Sequence, residues 1–250
     1  MSKYFYYAVG DIHGRLDLLN RLIPRIEMHA ASHNATPIPV FLGDYVDRGP
    51  DSKGVIDRII ELQTTHSAIA LKGNHEDLMQ NADPKFAPHR LRGLEKPTLS
   101  EWREMEERMY WWTMNGGYQT MASYGVEIGA AKANPFEAYK SVDQSHLDWI
   151  RSLPTFHETE NHYFVHAGVN PYKSLADQND NSRMWIRGEW LNSNVDMGKH
   201  VVHGHTPVDD ADVHPNRTNL DTGAVYGGAL SCGVFDPTKH KPIDLIVVKA

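Results

Sequence analysis

Five times along these 250 residues, a short apolar run breaks off into a glycine-flanked turn carrying Asp, Asn or His. The turns are Gly10-Asp11-Ile12-His13-Gly14, Gly43-Asp44-Tyr45-Val46-Asp47-Arg48-Gly49, Gly73-Asn74-His75-Glu76, His166-Ala167-Gly168 and Gly204-His205-Thr206-Pro207. In open α/β sheets, ligands bind beyond the carboxyl ends of strands, and glycine lets backbone approach a charged group closely. The pattern therefore predicts an α/β chain whose site is built from strand-end turns. The stretch 43–49 is its centre: two carboxylates and one guanidinium follow the apolar run Ile38–Leu42, which reads as a strand despite Pro39. A helix is expected to begin near Asp51 or Ser52.

Read in order, Tyr4–Val9 is a strand, and Leu16, Leu19, Leu22, Ile23 and Ile26 mark a helix that Pro24 should kink or shorten. Val55, Ile56, Ile59, Ile60 and Leu62 give a second helix, and Ala68–Leu71 a third strand, so the start is βαβαβ with a parallel sheet. Residues 81–124 change character, with Pro84, Pro88 and Pro97, the basic group His89, Arg90 and Arg92, several glutamates, and Trp102, Trp111 and Trp112. They read as a loop and one or two helices inserted above the sheet, the tryptophans forming that insertion's core. Pro135–Leu153 reads as helix, Asn161–Val165 as strand, and Gln178–Leu191 as helix or turn holding Trp185-Ile186-Arg187. The tail from Asn219 to Val248 reads as a second, more antiparallel sheet. No repeat or linker divides the chain, so residues 1–250 are expected to form a single domain with an insertion.

Composition narrows the chemistry. The net charge of −7 and the lack of a Lys/Arg block argue against nucleic acid or an anionic membrane as partner. No apolar run approaches the ~20 residues that span a bilayer. Cys232 is the only cysteine, which excludes intrachain disulfides and points to a reducing cytoplasm. Histidine is abundant, with fifteen copies. Gathering five Asp/Asn/His turns without a cation would leave repelling carboxylates and unpaired imidazoles at several kcal/mol each. Mixed oxygen and nitrogen ligands suit Mn²⁺, Fe²⁺ or Zn²⁺ better than Ca²⁺.

The five blocks, in this order, resemble the signature of the phosphoprotein phosphatases, the PPP family of calcineurin-like metallophosphoesterases, and Asp221-Thr222-Gly223-Ala224-Val225-Tyr226 resembles the C-terminal strand of its bacterial and phage serine/threonine members. The resemblance implies a four-layer α/β/β/α sandwich. It assigns Asp11 and His13 to one metal, Asp44 as the bridge, and Asn74, His166 and His205 to a second metal. It makes His75 a general acid kept protonated by Asp47, and Arg48 a phosphate clamp, with Asn74 also near the phosphate. Arg187 matches a second phosphate arginine of phage-type members. His203 is then a neighbour of the ligand His205. The implied activity is that of a serine/threonine protein phosphatase with two divalent ions, Mn²⁺ foremost. Symmetrical diadenosine tetraphosphate hydrolysis or another phosphodiesterase activity is the alternative on the same fold. A scaffold without chemistry is disfavoured, because every matched ligand and the acid pair are present.

Overall fold

The computed structural model describes residues 3–86 and 98–250, so His89, Arg90 and Arg92 with Pro88 and Pro97 lie outside the described residues. Strands β1 (Tyr4–Val9), β2 (Thr36–Phe41) and β3 (Ile69–Ala70) pair in parallel, joined by helices α1 (Leu16–Ser32) and α2 (Ser52–His66). β2 tolerates Pro37 and Pro39 because β3 pairs with it only at Val40 and Phe41, beyond both prolines. Helix α1 runs on past Pro24 to Ser32, so the proline does not shorten it. Pro24 and Asn20, whose carbonyl it leaves without a helical donor, both face solvent, while Leu18, Leu19, Leu22, Ile23 and Ile26 are buried on the other side. That burial outweighs the ~3 kcal/mol a helix-interior proline costs.

After β3 the described residues run mainly through helices as far as Ser152. α3 (Asn74–Asn81), α4 (Leu99–Trp112), α5 (Tyr118–Ser123) and α6 (Ile128–Ala133) precede α7 (Pro135–Tyr139) and α8 (Gln144–Ser152), so the helix expected over 135–153 is two helices. Of the insertion's tryptophans only Trp112 is core; Trp102 and Trp111 are exposed.

The second sheet comes from the middle of the chain. Its strands β4 (Phe156–Glu158), β5 (His162–Val165), β6 (His200–His203), β7 (Asp212–Val213) and β8 (Arg217–Asn219) lie in the order β4-β5-β6-β8-β7, with α9 (Asp180–Trp185) and α10 (Gly188–Leu191) between β5 and β6. The tail is not part of it. Strands β9 (Ala229–Phe235) and β10 (Asp244–Lys249) return antiparallel to the first sheet, whose order is β10-β9-β1-β2-β3.

Strand alternation builds the layers. Phe5, Tyr7 and Val9 of β1 face the core under α1 and α2, while Ala8 faces inward with Val40, Phe164, Val202 and Phe235. Those inward side chains seal one sheet against the other. On the outer face of the second sheet, Tyr163, Val165 and Val201 pack on Trp190 of α10. Two sheets between helical layers result, in agreement with the expected α/β/β/α sandwich. No helix among the described residues is long and apolar enough to cross a membrane.

Candidate metal centre and acid pair

The carboxyl ends of β1, β2, β3, β5 and β6 deliver the five turns to one place. Gly43, at φ +108°, lies so close to the third turn that a Cβ there would stand 2.6 Å from the Gly73 nitrogen. The side chains that line the centre are held in unusual backbone: His13, Asp44, Asp47, Arg48 and His205 all have positive φ, between +44° and +72°. A left-handed non-glycine residue costs about 1–2 kcal/mol, and it persists only where surrounding contacts enforce it. Glu76 supplies much of that enforcement. Its buried carboxylate accepts the backbone N–H groups of Asp44 (2.8 Å), Tyr45 (2.8 Å), Val46 (3.3 Å) and Gly73 (2.9 Å), tying the second turn to the third.

Asp44 sits between two groups of acceptors. Its Oδ1 is 3.3 Å from His166 Nε2, and its Oδ2 is 3.4 Å from His13 Nε2 and 3.9 Å from His75 Nε2. His166 Nδ1 lies 3.0 Å from the Leu42 carbonyl and His13 Nδ1 lies 2.7 Å from that of Val46, so both rings carry their proton on Nδ1 and turn a bare Nε2 inward. His166 Nε2 then faces Asn74 Oδ1 at 2.8 Å and His205 Nδ1 at 3.2 Å. Lone pairs converging with so few protons between them are what a divalent cation relieves. Electrostatics agree. Burial raises Asp44, with the Glu76 charge adding to it, and burial raises Asp11, with Asp221 adding to it. Burial lowers His13, His205 and, to about 3, His166. The donor set thus fits the implied cations.

Three positions differ from the simplest reading. The Asp11 carboxylate accepts the His205 N–H at 3.1 Å, joining the first turn to the last, while His75 closes a group with His13 and Asp44. Arg48 Nη1 sits 2.8 Å from His13 Nε2, on the lone pair that a cation would take, and its guanidinium lies over Tyr226 at 5.7 Å.

The two residues expected to form an acid pair are in contact: His75 Nδ1 and Asp47 Oδ2 are 2.8 Å apart, both fully buried. Burial lifts Asp47 to about 8 against the pull of Thr120, Trp112 and Arg48, while burial, Arg48 and Arg187 together lower His75. Arg187 lies exposed between α9 and α10 and donates to Thr206 Oγ1 at 3.2 Å, one residue from His205. His203, buried, has its Nδ1 3.1 Å from the Gly204 carbonyl and stays out of the cluster.

Four residues here had no role assigned from sequence: Glu76, Asp221, Trp112 and Thr120. Glu76 ends the Gly-Asn-His-Glu run and Asp221 opens Asp-Thr-Gly, so both lay in sight. Asp221 is buried beside Asp11, and burial raises it to about 6. Trp112 and Thr120 carry no local signal for a hydrogen bond to Asp47.

Known proteins share this frame. The calcineurin-like phosphoesterase family description matches residues 6–229. The chain is 29% identical over 233 residues to "Serine/threonine-protein phosphatase 1" of Salmonella typhimurium, covering 90% of this chain and 89% of that one. It is 27% identical over 252 residues to "Bis(5'-nucleosyl)-tetraphosphatase PrpE [asymmetrical]" of Anoxybacillus flavithermus, covering 90% and 88%. Among solved structures, one described as a putative diadenosine tetraphosphatase superposes with a TM-score of 0.63 at 21% identity, covering 99% of this chain and 94% of that one. With the family description covering all five turns and most of the chain, this chain belongs to the calcineurin-like phosphoesterases.

Proposed function

We propose that this chain is a metal-dependent phosphomonoester hydrolase acting on phosphoserine and phosphothreonine in proteins, with two divalent cations, Mn²⁺ first among Mn²⁺, Fe²⁺ and Zn²⁺. The observation that carries the reading is Asp44, whose two oxygens face separate groups of lone pairs. Asp11, His13 and Asp44 would hold one cation, and Asp44, Asn74, His166 and His205 the other. When bound, such a pair supplies Lewis acidity toward the phosphate and lowers the pKa of water. The chain's own groups do the rest. Arg48 and Arg187 bind and orient the phosphate, a task suited to planar guanidinium forks, with Asn74 close by. His75, braced at Nδ1 by Asp47, offers Nε2 to the departing oxygen as proton donor. A dianion between Arg48 and Arg187 offsets the charges that depress His75, so substrate binding itself favours the protonated acid. A single, buried cysteine suits a reducing cytoplasm.

A second reading, hydrolysis of bis(5'-nucleosyl) tetraphosphates, is supported by the likeness to proteins of that name and by Tyr226, exposed beside Arg48 where a base would find a flat surface. Turnover of a phosphoserine peptide, p-nitrophenyl phosphate and diadenosine tetraphosphate with Mn²⁺ separates the two. The peptide should show the highest kcat/KM, and His75→Asn should lower its kcat by about 10²–10⁴. A clear preference for the dinucleotide would overturn the first reading in favour of the second, and no turnover of any of the three would sink both.

A further inference from the structure

The insertion reaches the acid pair from behind. Asp47 Oδ1 accepts the indole N–H of Trp112 at 3.0 Å and the hydroxyl of Thr120 at 2.6 Å. The Asp47 N–H in turn lies 2.9 Å from Thr120 Oγ1 and 3.0 Å from Ser52 Oγ, and the two hydroxyls are 3.1 Å apart. Trp112, Thr120, Ser52 and Asp47 are all completely buried. Proton counting fixes the pattern. An indole N–H can only donate, and the one proton of Thr120 is committed to Oδ1, so Oδ1 is an acceptor twice over. Only Oδ2 is left to meet His75 Nδ1. Between the two donors, Gly116 adopts φ +113° and its carbonyl accepts the Arg48 N–H at 3.4 Å. A Cβ at Gly116 would lie 2.4 Å from that nitrogen, so the segment Trp112–Thr120 is pressed onto both Asp47 and Arg48.

We propose that Trp112 and Thr120 are positioning residues for proton transfer. They lock Asp47 so that Oδ2 holds the His75 ring with Nε2 aimed at the leaving oxygen, which makes the insertion part of the catalytic apparatus and not a cover over it. The inference rests on reading His75 as the proton donor. It separates two kinds of ester: an alkoxide leaving group needs that proton, whereas p-nitrophenolate needs it little.

Thr120→Val removes the hydroxyl at nearly constant volume, Trp112→Phe removes the N–H but keeps a ring, and Thr120→Ser keeps the donor. On a phosphoserine peptide with Mn²⁺, Thr120→Val and Trp112→Phe should each lower kcat by about 10-fold, the scale of one lost hydrogen bond to a charged group, with KM held within about twofold. On p-nitrophenyl phosphate the loss should stay within about threefold, and Thr120→Ser should recover most of the activity. The double variant should lose less than the product of the singles, because both donors act on one oxygen. A second readout needs no turnover. In metal-free protein, the downfield proton resonance of His75 Nδ1–H, identified by its disappearance in His75→Asn, should shift in both variants. Equal losses on the two esters, an effect on KM alone, failure of Thr120→Ser to recover, or an unmoved resonance would overturn the proposal. If Thr120→Val does not fold, Trp112→Phe decides by the same criteria. If His75→Asn itself shows no dependence on leaving group, the reading of His75 has failed, and not merely its support by the insertion.

Discussion

Glu76→Gln is a nearly isosteric change whose effect can be worked out from geometry. Oε1 accepts Tyr45 and Val46, and Oε2 accepts Asp44 and Gly73. A carboxamide keeps one of these pairs on its oxygen and turns an NH₂ against the other pair. Two charge-assisted bonds are lost, at about 1.5–3 kcal/mol each, and the bonds that remain become neutral ones. The net cost is about 3–6 kcal/mol unless the turn moves. The turn is prone to move, because Asp44, Asp47 and Arg48 are all left-handed and strain of about 1–2 kcal/mol per residue is waiting to be released. At about 2–4 °C per kcal/mol for a chain of this size, the fall in Tm should be about 6–24 °C. Because the movement displaces Asp44 and Asn74, Mn²⁺ should also bind more weakly. Thermal unfolding by circular dichroism, together with activity titrated against Mn²⁺, measures both. A Tm within about 2 °C of the parent, the shift of less than about 1 kcal/mol for this size, together with an unchanged Mn²⁺ midpoint, would refute the claim that Glu76 holds the turn.

Metal dependence is the second expectation: chelation should abolish activity and Mn²⁺ restore it. Asp44→Asn should be the most damaging ligand change, since Asp44 faces both groups of lone pairs; full turnover by protein shown metal-free by elemental analysis would contradict this. The third concerns acid. Burial holds His162 and His200 of the second sheet at about 4, below the ~6.5 of an exposed histidine, so the unfolded chain takes up these protons first. Their contribution to stability is whole above pH ~6.5 and drains away as pH falls toward 4, by up to about 3 kcal/mol for each. His162→Phe, in the company of Phe164 and Phe235, should flatten the fall of Tm across that window; an unchanged slope would exclude the assignment.

The five turns were legible in the sequence because each is a short local signal, glycine beside an acid or imidazole at the end of an apolar run. Strand and helix positions in the first seventy residues followed from periodicity for the same reason. What escaped notice depends on contacts between distant segments. Pro24 could be tolerated only because its face of α1 points to water. The tail's allegiance to the first sheet is set by an open edge on β1, which alternation within β9 and β10 does not reveal. Trp112 and Thr120 reach Asp47 across 65 and 73 residues, with nothing in their own neighbourhood to mark them. The lowering of His75 also could not be read locally, because it comes from burial first and then from Arg48 and Arg187 on other segments.

The order of strands in the first sheet has a consequence for how the molecule comes into being. β1, made first, lies at the centre, and one of its two partners is β9, made among the last. The Gly10 N–H that sets the Asp11 turn bonds to the carbonyl of Ser231, and Asp11 then waits for the amide of His205. A nascent chain can therefore pair β1, β2 and β3 early, but it carries an open strand edge and an unfinished centre until β9 has left the ribosome. Contacts of such long sequence separation are slow to close. Hydrolytic competence arrives as the last act of folding, and a prematurely terminated chain ending before Ala229 would expose the flank of β1 as a template for aggregation.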